Sequence, residues 1–180
     1  MRFFGLLATC VALASATIEE NWQTRKDPYP GVLSPIAIYN GSGSQWKSYP
    51  PSAKELGYKG RWDSKYISWW AAPGLKFGFT GENVAISFGR YTSPGVLVAY
   101  RFAGQDWQFT NVTANATYQF ISSGTPGLNL TTPANGVKTL EIRITNWSLG
   151  VQIARVWTGK NDRLIKLPDE PLTIEFIGDS

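Results

Sequence analysis

The chain has 180 residues, 43% of them apolar and 17% charged, with 17 Lys and Arg against 13 Asp and Glu, a formal net charge of +4 and no histidine. That length suits one domain of ordinary size with a real core and little room for a second, and the composition excludes a chain that is disordered in bulk. The positive excess is weak and scattered along the sequence, which points away from a nucleic-acid reader and its clustered basic face.

The first sixteen residues differ from the rest. Arg2 supplies a positive start, Phe3 to Leu13 an apolar run, and Ala14-Ser15-Ala16 the small residues that a signal peptidase requires. The run is too short to span a bilayer, so residues 1–16 are expected to be a cleaved signal peptide, and the protein secreted, with no membrane association afterwards. Cys10, the sole cysteine, leaves with it, so the mature chain is expected to form no disulfide and no thiolate metal site. Five tripeptides fit the N-glycosylation acceptor pattern, at Asn40, Asn111, Asn115, Asn129 and Asn146, as expected of a secreted glycoprotein.

Residues 17–51 are polar and carry Pro28, Pro30, Pro35, Pro50 and Pro51 as well as Gly41-Ser42-Gly43-Ser44. They are expected to form an extended lead-in with at most one or two short strands, Ile36 to Tyr39 being the favoured one. Over 52–166 a period of two takes over. Val84, Ile86 and Phe88 alternate with Ala85 and Ser87, and Leu140, Ile142 and Ile144 with Glu141, Arg143 and Thr145. Strands over 83–88 and 139–147 with one buried and one wet face follow. Further strands are expected at 75–80, 96–102, 107–112, 117–122 and 151–157, separated by turn signals such as Thr80-Gly81-Glu82-Asn83, Ser93-Pro94-Gly95 and Asn135-Gly136. Seven or eight short strands and no helical stripe predict an all-β fold, a β-sandwich or jelly roll.

The last residues break this pattern. Leu167-Pro168-Asp169-Glu170-Pro171 reads as a stiff linker, and 172–180 as a new apolar strand, Leu172 to Ile177, followed by Gly178-Asp179-Ser180. A serine placed after a glycine at a strand-to-turn corner is well presented for nucleophilic chemistry, given a base and oxyanion donors.

Ile174 to Ser180 resembles the first sequence block of the SGNH (GDSL-type) hydrolases, in which the serine of Gly-Asp-Ser is the nucleophile and its amide contributes to the oxyanion hole. The linker and the domain before it, with Gly60-Arg61-Trp62-Asp63 and Phe77-Gly78-Phe79-Thr80-Gly81, are similar to carbohydrate esterase family 2, acetyl-xylan-type esterases that join an N-terminal jelly roll to an SGNH domain. The resemblance implies that Ser180 is the nucleophile and that the rest of an α/β hydrolase domain, including its Asp and His, lies beyond it. With no histidine in the chain, there is no base for Ser180, and no esterase activity is expected from these residues alone. Asp179 reads as ordering the turn rather than serving the serine. Asp63, Glu82, Asp106 and Glu141 sit in separate elements, with no spacing that would pair them as in a glycosidase.

The eight tryptophans carry a second idea. Sugar rings stack their C–H faces on indole, so a secreted sandwich rich in Trp and Tyr is suited to hold polysaccharide; the family resemblance implies acetylated xylan or a similar polymer. Trp62, Trp69 and Trp70 are the foremost candidates, with Trp46, Tyr49, Tyr58 and Tyr91 behind them, although any one tryptophan more often fills the core. Arg61 and Asp63 are expected to fix their corner by pairing with each other or with neighbouring strands. No cofactor and no metal ligand set is expected, nor any oligomer beyond a monomer. Three functions remain open: the N-terminal accessory domain of a secreted carbohydrate esterase, a stand-alone carbohydrate-binding module, and a structural or adhesive secreted glycoprotein with no ligand of its own.

Overall fold

A computed structural model describes residues 17–20 and 23–26 as backbone, and 33–39, 41, 43–128 and 137–168 with their side chains. The expected strand over 172–177, the Asn135-Gly136 turn and Ser180 lie outside the described residues, as does the signal region. The chain divides into a small N-terminal unit and a large one that begins at residue 31. In the small unit β1 (Thr17–Glu20) pairs antiparallel with β2 (Gln23–Lys26).

The large unit is an all-β sandwich whose described residues form no helix. Its strands are β3 (Pro35–Ile36), β4 (Trp46–Tyr49), β5 (Gly57–Lys59), β6 (Ile67–Ser68), β7 (Gly74–Phe79), β8 (Val84–Phe88), β9 (Val96–Phe102), β10 (Gln108–Val112), β11 (Thr117–Ile121), β12 (Lys138–Ile144), β13 (Val151–Gly159) and β14 (Leu164–Ile165). The first sheet runs β10-β9-β12-β7-β14, with β5 also on β7; the second runs β3-β11-β8-β13-β4, with β6 also on β13. Every pairing is antiparallel.

The alternation visible in the sequence is what closes the sandwich. Leu75, Phe77 and Phe79 of β7 and Leu140, Ile142 and Ile144 of β12 turn their side chains to one side, and Val84, Ile86 and Phe88 of β8 meet them from the second sheet, all buried. Tyr100 of β9 packs edge-on against Phe120 of β11, which also meets Phe88 at a tilt, so aromatic contacts span the gap between sheets. Two register shifts interrupt the alternation, between Gln119 and Ile121 in β11 and between Ile153 and Arg155 in β13. A bulge inserts one residue and flips the phase. That is why Val151 and Ile153 share the interior with Val156 and Thr158, and why the adjacent Phe120 and Ile121 are both buried.

The stretch read as an extended lead-in is more structured than expected. It holds β1 and β2, and β3 and β4 are sandwich strands, β4 pairing along β13 from Val156↔Tyr49 to Gly159↔Trp46. Strands this short, set among Pro, Gly and Ser, carry too few residues to display a period.

Glu141 corrects a second expectation. On β12 it sits in the phase assigned to a wet face, yet it is buried. Arg101 reaches across from β9, its Nε and Nη2 donating to Oε2 at 2.9 and 2.7 Å, and Arg143 lies beside it, its Nε and Nη2 donating to Oε1 at 3.0 and 2.7 Å. The two guanidiniums, each about a third exposed, roof the carboxylate. Gly74 on β7 makes this possible, since a Cβ there would stand 2.8 Å from the Arg143 guanidinium.

Burial pushes the Glu141 carboxyl up, but the hydrogen bonds and charges of Arg101 and Arg143 outweigh it and hold the group below its ordinary value. A carboxylate depressed in the folded state contributes stability that is full above the unfolded pKa, ~4.3, and is lost as pH falls through the folded value. Glu141→Gln is therefore expected to destabilise the protein by about 2 kcal/mol at neutral pH, the partial exposure of both arginines discounting the larger cost of a fully buried pair. Denaturant melts of variant and wild type should converge as pH is taken below 4.

Candidate functional site

Antiparallel strands deliver their connections to the two ends of a sandwich. At one end lie residues 60–73, which include β6, together with 89–95, 113–116 and 145–150. These loops are tied to one another by backbone bonds: Ala72 N donates to Ile144 O at 2.8 Å, Ser148 N to Trp69 O at 3.0 Å, Ser93 N to Gly150 O at 2.8 Å and Ile153 N to Tyr66 O at 3.1 Å.

This end also holds strained backbone. Tyr66, Ala72, Asn115 and Ser148 have φ of 58°, 77°, 56° and 69°, left-handed values that cost a side-chain-bearing residue about 1–2 kcal/mol. Ala103, at the opposite end, is the remaining non-glycine of this kind among the described residues. Strain held in place by surrounding bonds gathers at binding sites more than elsewhere.

Arg61, Trp62, Asp63, Ile67, Ser68, Trp69 and Trp70 line an open hollow of about 230 Å³. The three tryptophans singled out from the sequence thus meet in one place, but in different roles. Trp62 is half-buried against the core, packs edge-on to Tyr58 with ring centroids 5.1 Å apart, and donates from Nε1 to Lys59 O at 3.0 Å. It is the floor. Trp69 and Trp70 are 49% and 44% exposed and form the rim.

Each rim indole is held. The Trp69 ring rests on Gly150, where a Cβ would come within 2.7 Å of it and 2.6 Å of Tyr91 O. The Arg61 guanidinium lies 4.4 Å from the centre of the Trp70 ring, which places a cation against the π face. Asp63 does not serve Arg61. Its Oδ1 accepts from Lys65 N at 2.8 Å and Ile67 N at 2.9 Å, closing the turn that leads into β6. The expected structural role of this corner holds, with other partners.

Of the remaining candidates, Tyr58 donates its hydroxyl to Pro51 O at 3.0 Å, and burial, followed by the neighbouring Tyr66, raises its phenol well above the ordinary value. Tyr49 packs on the core, its hydroxyl accepting from Leu164 N, and Trp46 is half-buried in β4. Tyr91 is 38% exposed beside the Trp69–Gly150 contact. Sequence reading missed Trp147, 71% exposed, because the strand was expected to run to residue 147, whereas β12 ends at Ile144. The signal was present: the buried phase of β12 is even-numbered, which turns position 147 outward.

Among the glycosylation acceptors, Asn111 sits on the edge strand β10 with Nδ2 donating to Gly95 O at 2.7 Å, Asn115 is exposed in the β10–β11 turn, and Asn146 accepts from Leu97 N at 2.8 Å. Asn40 and Asn129 lie outside the described residues, as does the proposed nucleophile Ser180.

Such an end presents two exposed indoles and a guanidinium over one hollow, surfaces on which a flat apolar face can stack. Trp62→Ala is expected to cost about 2–3 kcal/mol in a denaturant melt, since it empties a half-buried site, whereas Trp70→Ala should change stability by no more than ~0.5 kcal/mol.

The fold is that of an all-β sandwich of the jelly-roll kind with an aromatic hollow at one loop end. Neither a protein-family model nor a curated protein sequence matches the chain. Among solved structures it is similar to a family two carbohydrate esterase from Cellvibrio japonicus, with a TM-score of 0.55 and 10% identity over 70% of this chain and 36% of that one. It is similar also to an active-site mutant of a family two carbohydrate esterase from Clostridium thermocellum, with a TM-score of 0.50 and 16% identity over 67% of this chain and 34% of that one. A structure of the latter species' family two esterase in complex with cellohexaose gives 0.50 and 16% over 63% and 34%. At these identities the likeness establishes a shared fold, and the chain spans about a third of the length of those esterases.

Proposed function

We propose that this chain is a secreted polysaccharide-binding accessory domain that serves a carbohydrate esterase of the SGNH type, and that its Trp69–Trp70 rim is where sugar rings stack. The observation that carries the binding part is the pair of exposed indoles held over one hollow, Trp69 by Gly150 and Trp70 by Arg61. Preordered aromatic faces bind pyranose C–H faces without the entropy cost of ordering a loop.

The esterase part rests on the Gly178-Asp179-Ser180 resemblance and on the similarity of the sandwich to part of three family two esterase structures, two of them in complex with cellohexaose. On this reading the partner polymer is acetylated xylan or a related polysaccharide, and Ser180 would attack the acetyl carbonyl once a downstream histidine supplied the base. The chain itself, with no histidine, holds no imidazole to take the proton, and is inert.

Affinity electrophoresis through gels containing xylan or soluble cellulose derivatives should retard the wild-type chain, and Trp70→Ala or Trp69→Ala should reduce retardation at least tenfold with the fold intact. The chain should not hydrolyse p-nitrophenyl acetate above a Ser180→Ala control. Unretarded migration through every polysaccharide gel would sink the binding function; hydrolysis dependent on Ser180 would sink the inertness.

A further inference from the structure

The outer face of the first sheet is a second surface, adjoining the aromatic end at Lys59 and Arg143, and its charge is not scattered. Three hollows of about 380, 250 and 250 Å³ adjoin one another across β12, β7 and β5, all of them sharing Lys76. Lys54, Lys59, Lys76, Lys166, Arg101 and Arg143 line them, against Glu55 and Glu141. Among the described residues, and leaving aside Lys76, which has an interaction of its own, five cations face two carboxylates, an excess of three on one face of a chain whose net charge is +4. The cations that look dispersed along the sequence converge because cross-strand register sets Arg101 and Lys76 on either side of Glu141, and Lys59 opposite Gly74 beside Arg143.

The shape is that of a track rather than a socket. The three hollows are open and share Lys76, lying side by side along the sheet, which fits a linear polymer crossing several cations. Glu141 neutralises only one of the two arginines that grip it, so the centre of the face remains positive. At its margin Trp107, 36% exposed, lies against Arg101, the guanidinium 4.5 Å from the ring centre. An indole at the edge of a cationic track adds an apolar plane for a sugar ring.

We infer that this face binds an acidic polysaccharide, one whose sugar units carry carboxylates, such as a uronate polymer. The inference builds on the proposal of a polysaccharide-binding domain but concerns a different surface and a different chemistry from the neutral stacking rim. A carboxylated polymer meets the charge excess with carboxylate-to-ammonium and carboxylate-to-guanidinium contacts, and the sugar units between them meet Trp107.

The full chain should be retarded in affinity electrophoresis by fully de-esterified polygalacturonate at physiological salt, and not by the same polymer methyl-esterified, which keeps the sugar backbone and loses the charge. Lys54→Gln/Lys59→Gln/Lys166→Gln, three side chains outside the Glu141 cluster, should weaken retardation at least tenfold while leaving the melting transition and retention on neutral xylan unchanged. Trp70→Ala should do the reverse. Equal retardation by both forms of the polymer, an unaffected triple variant, or equal retardation by dextran sulfate, a polyanion without carboxylates and so the mark of a generic charge contact, would each overturn the inference and leave the neutral-sugar result standing. So would a tenfold gain in the Asp169→Asn/Glu170→Gln variant, which would make the chain's own acidic segment the occupant.

Discussion

The whole arrangement depends on one constraint: each sheet has a single apolar face, and the two can be buried only against each other. Phe77, Phe79 and Leu140 on one side, and Ile86, Phe88 and Ile153 on the other, are removed from water almost completely. Once that interior is closed, polar and aromatic side chains have two places left, the outward sheet faces and the loop ends. The Glu141 cluster occupies the first and the tryptophan hollow the second, so both candidate surfaces are consequences of how the core was filled.

The two surfaces solve different physical problems. On the sheet face a carboxylate has been taken out of water, and two arginines satisfy both its oxygens from neighbouring positions on β9 and β12, which turns a liability of burial into a fixed cationic platform. At the loop end the problem is to hold large indoles in water without letting them wander. Trp69 is wedged by a glycine and Trp70 by a guanidinium, and four left-handed non-glycine residues in the surrounding loops show that the backbone there is fixed by its hydrogen bonds rather than by local preference.

The longer strands were legible in the sequence as alternating or continuous apolar runs: β9, buried at every position but Arg101, runs over Val96–Phe102 as read, and β7, β8, β10, β11 and β12 lie inside or within a residue of their expected spans. The strands of two to four residues were not, since β5, β6 and β14 are too short for a period and owe their pairing to β7 and β13. Trp62, Trp69 and Trp70 were found because tryptophans crowd one Gly- and Pro-flanked stretch, but what separates a floor from a rim, the contact of Trp62 with Tyr58 or of Arg61 with Trp70, is tertiary. The clustering of six cations was illegible for the same reason: register across four strands brings together residues from 54 to 166. The bulges at Gln119 and Ile153 erase the alternation where they occur, and nothing local in the sequence announces them.

The central claim is that the loop end, and not the core tryptophans, meets a sugar chain. Indole N–H resonances separate the two directly, because the Nε1 of Trp157 is committed to Ser87 Oγ at 2.8 Å in a buried site while the rim rings are open. Titrating the ¹⁵N-labelled chain with a xylo- or cello-oligosaccharide should shift the Trp69 and Trp70 indole signals progressively and leave Trp157 in place. A titration that moves neither rim signal at millimolar oligosaccharide, or that moves Trp157 alone, would contradict it.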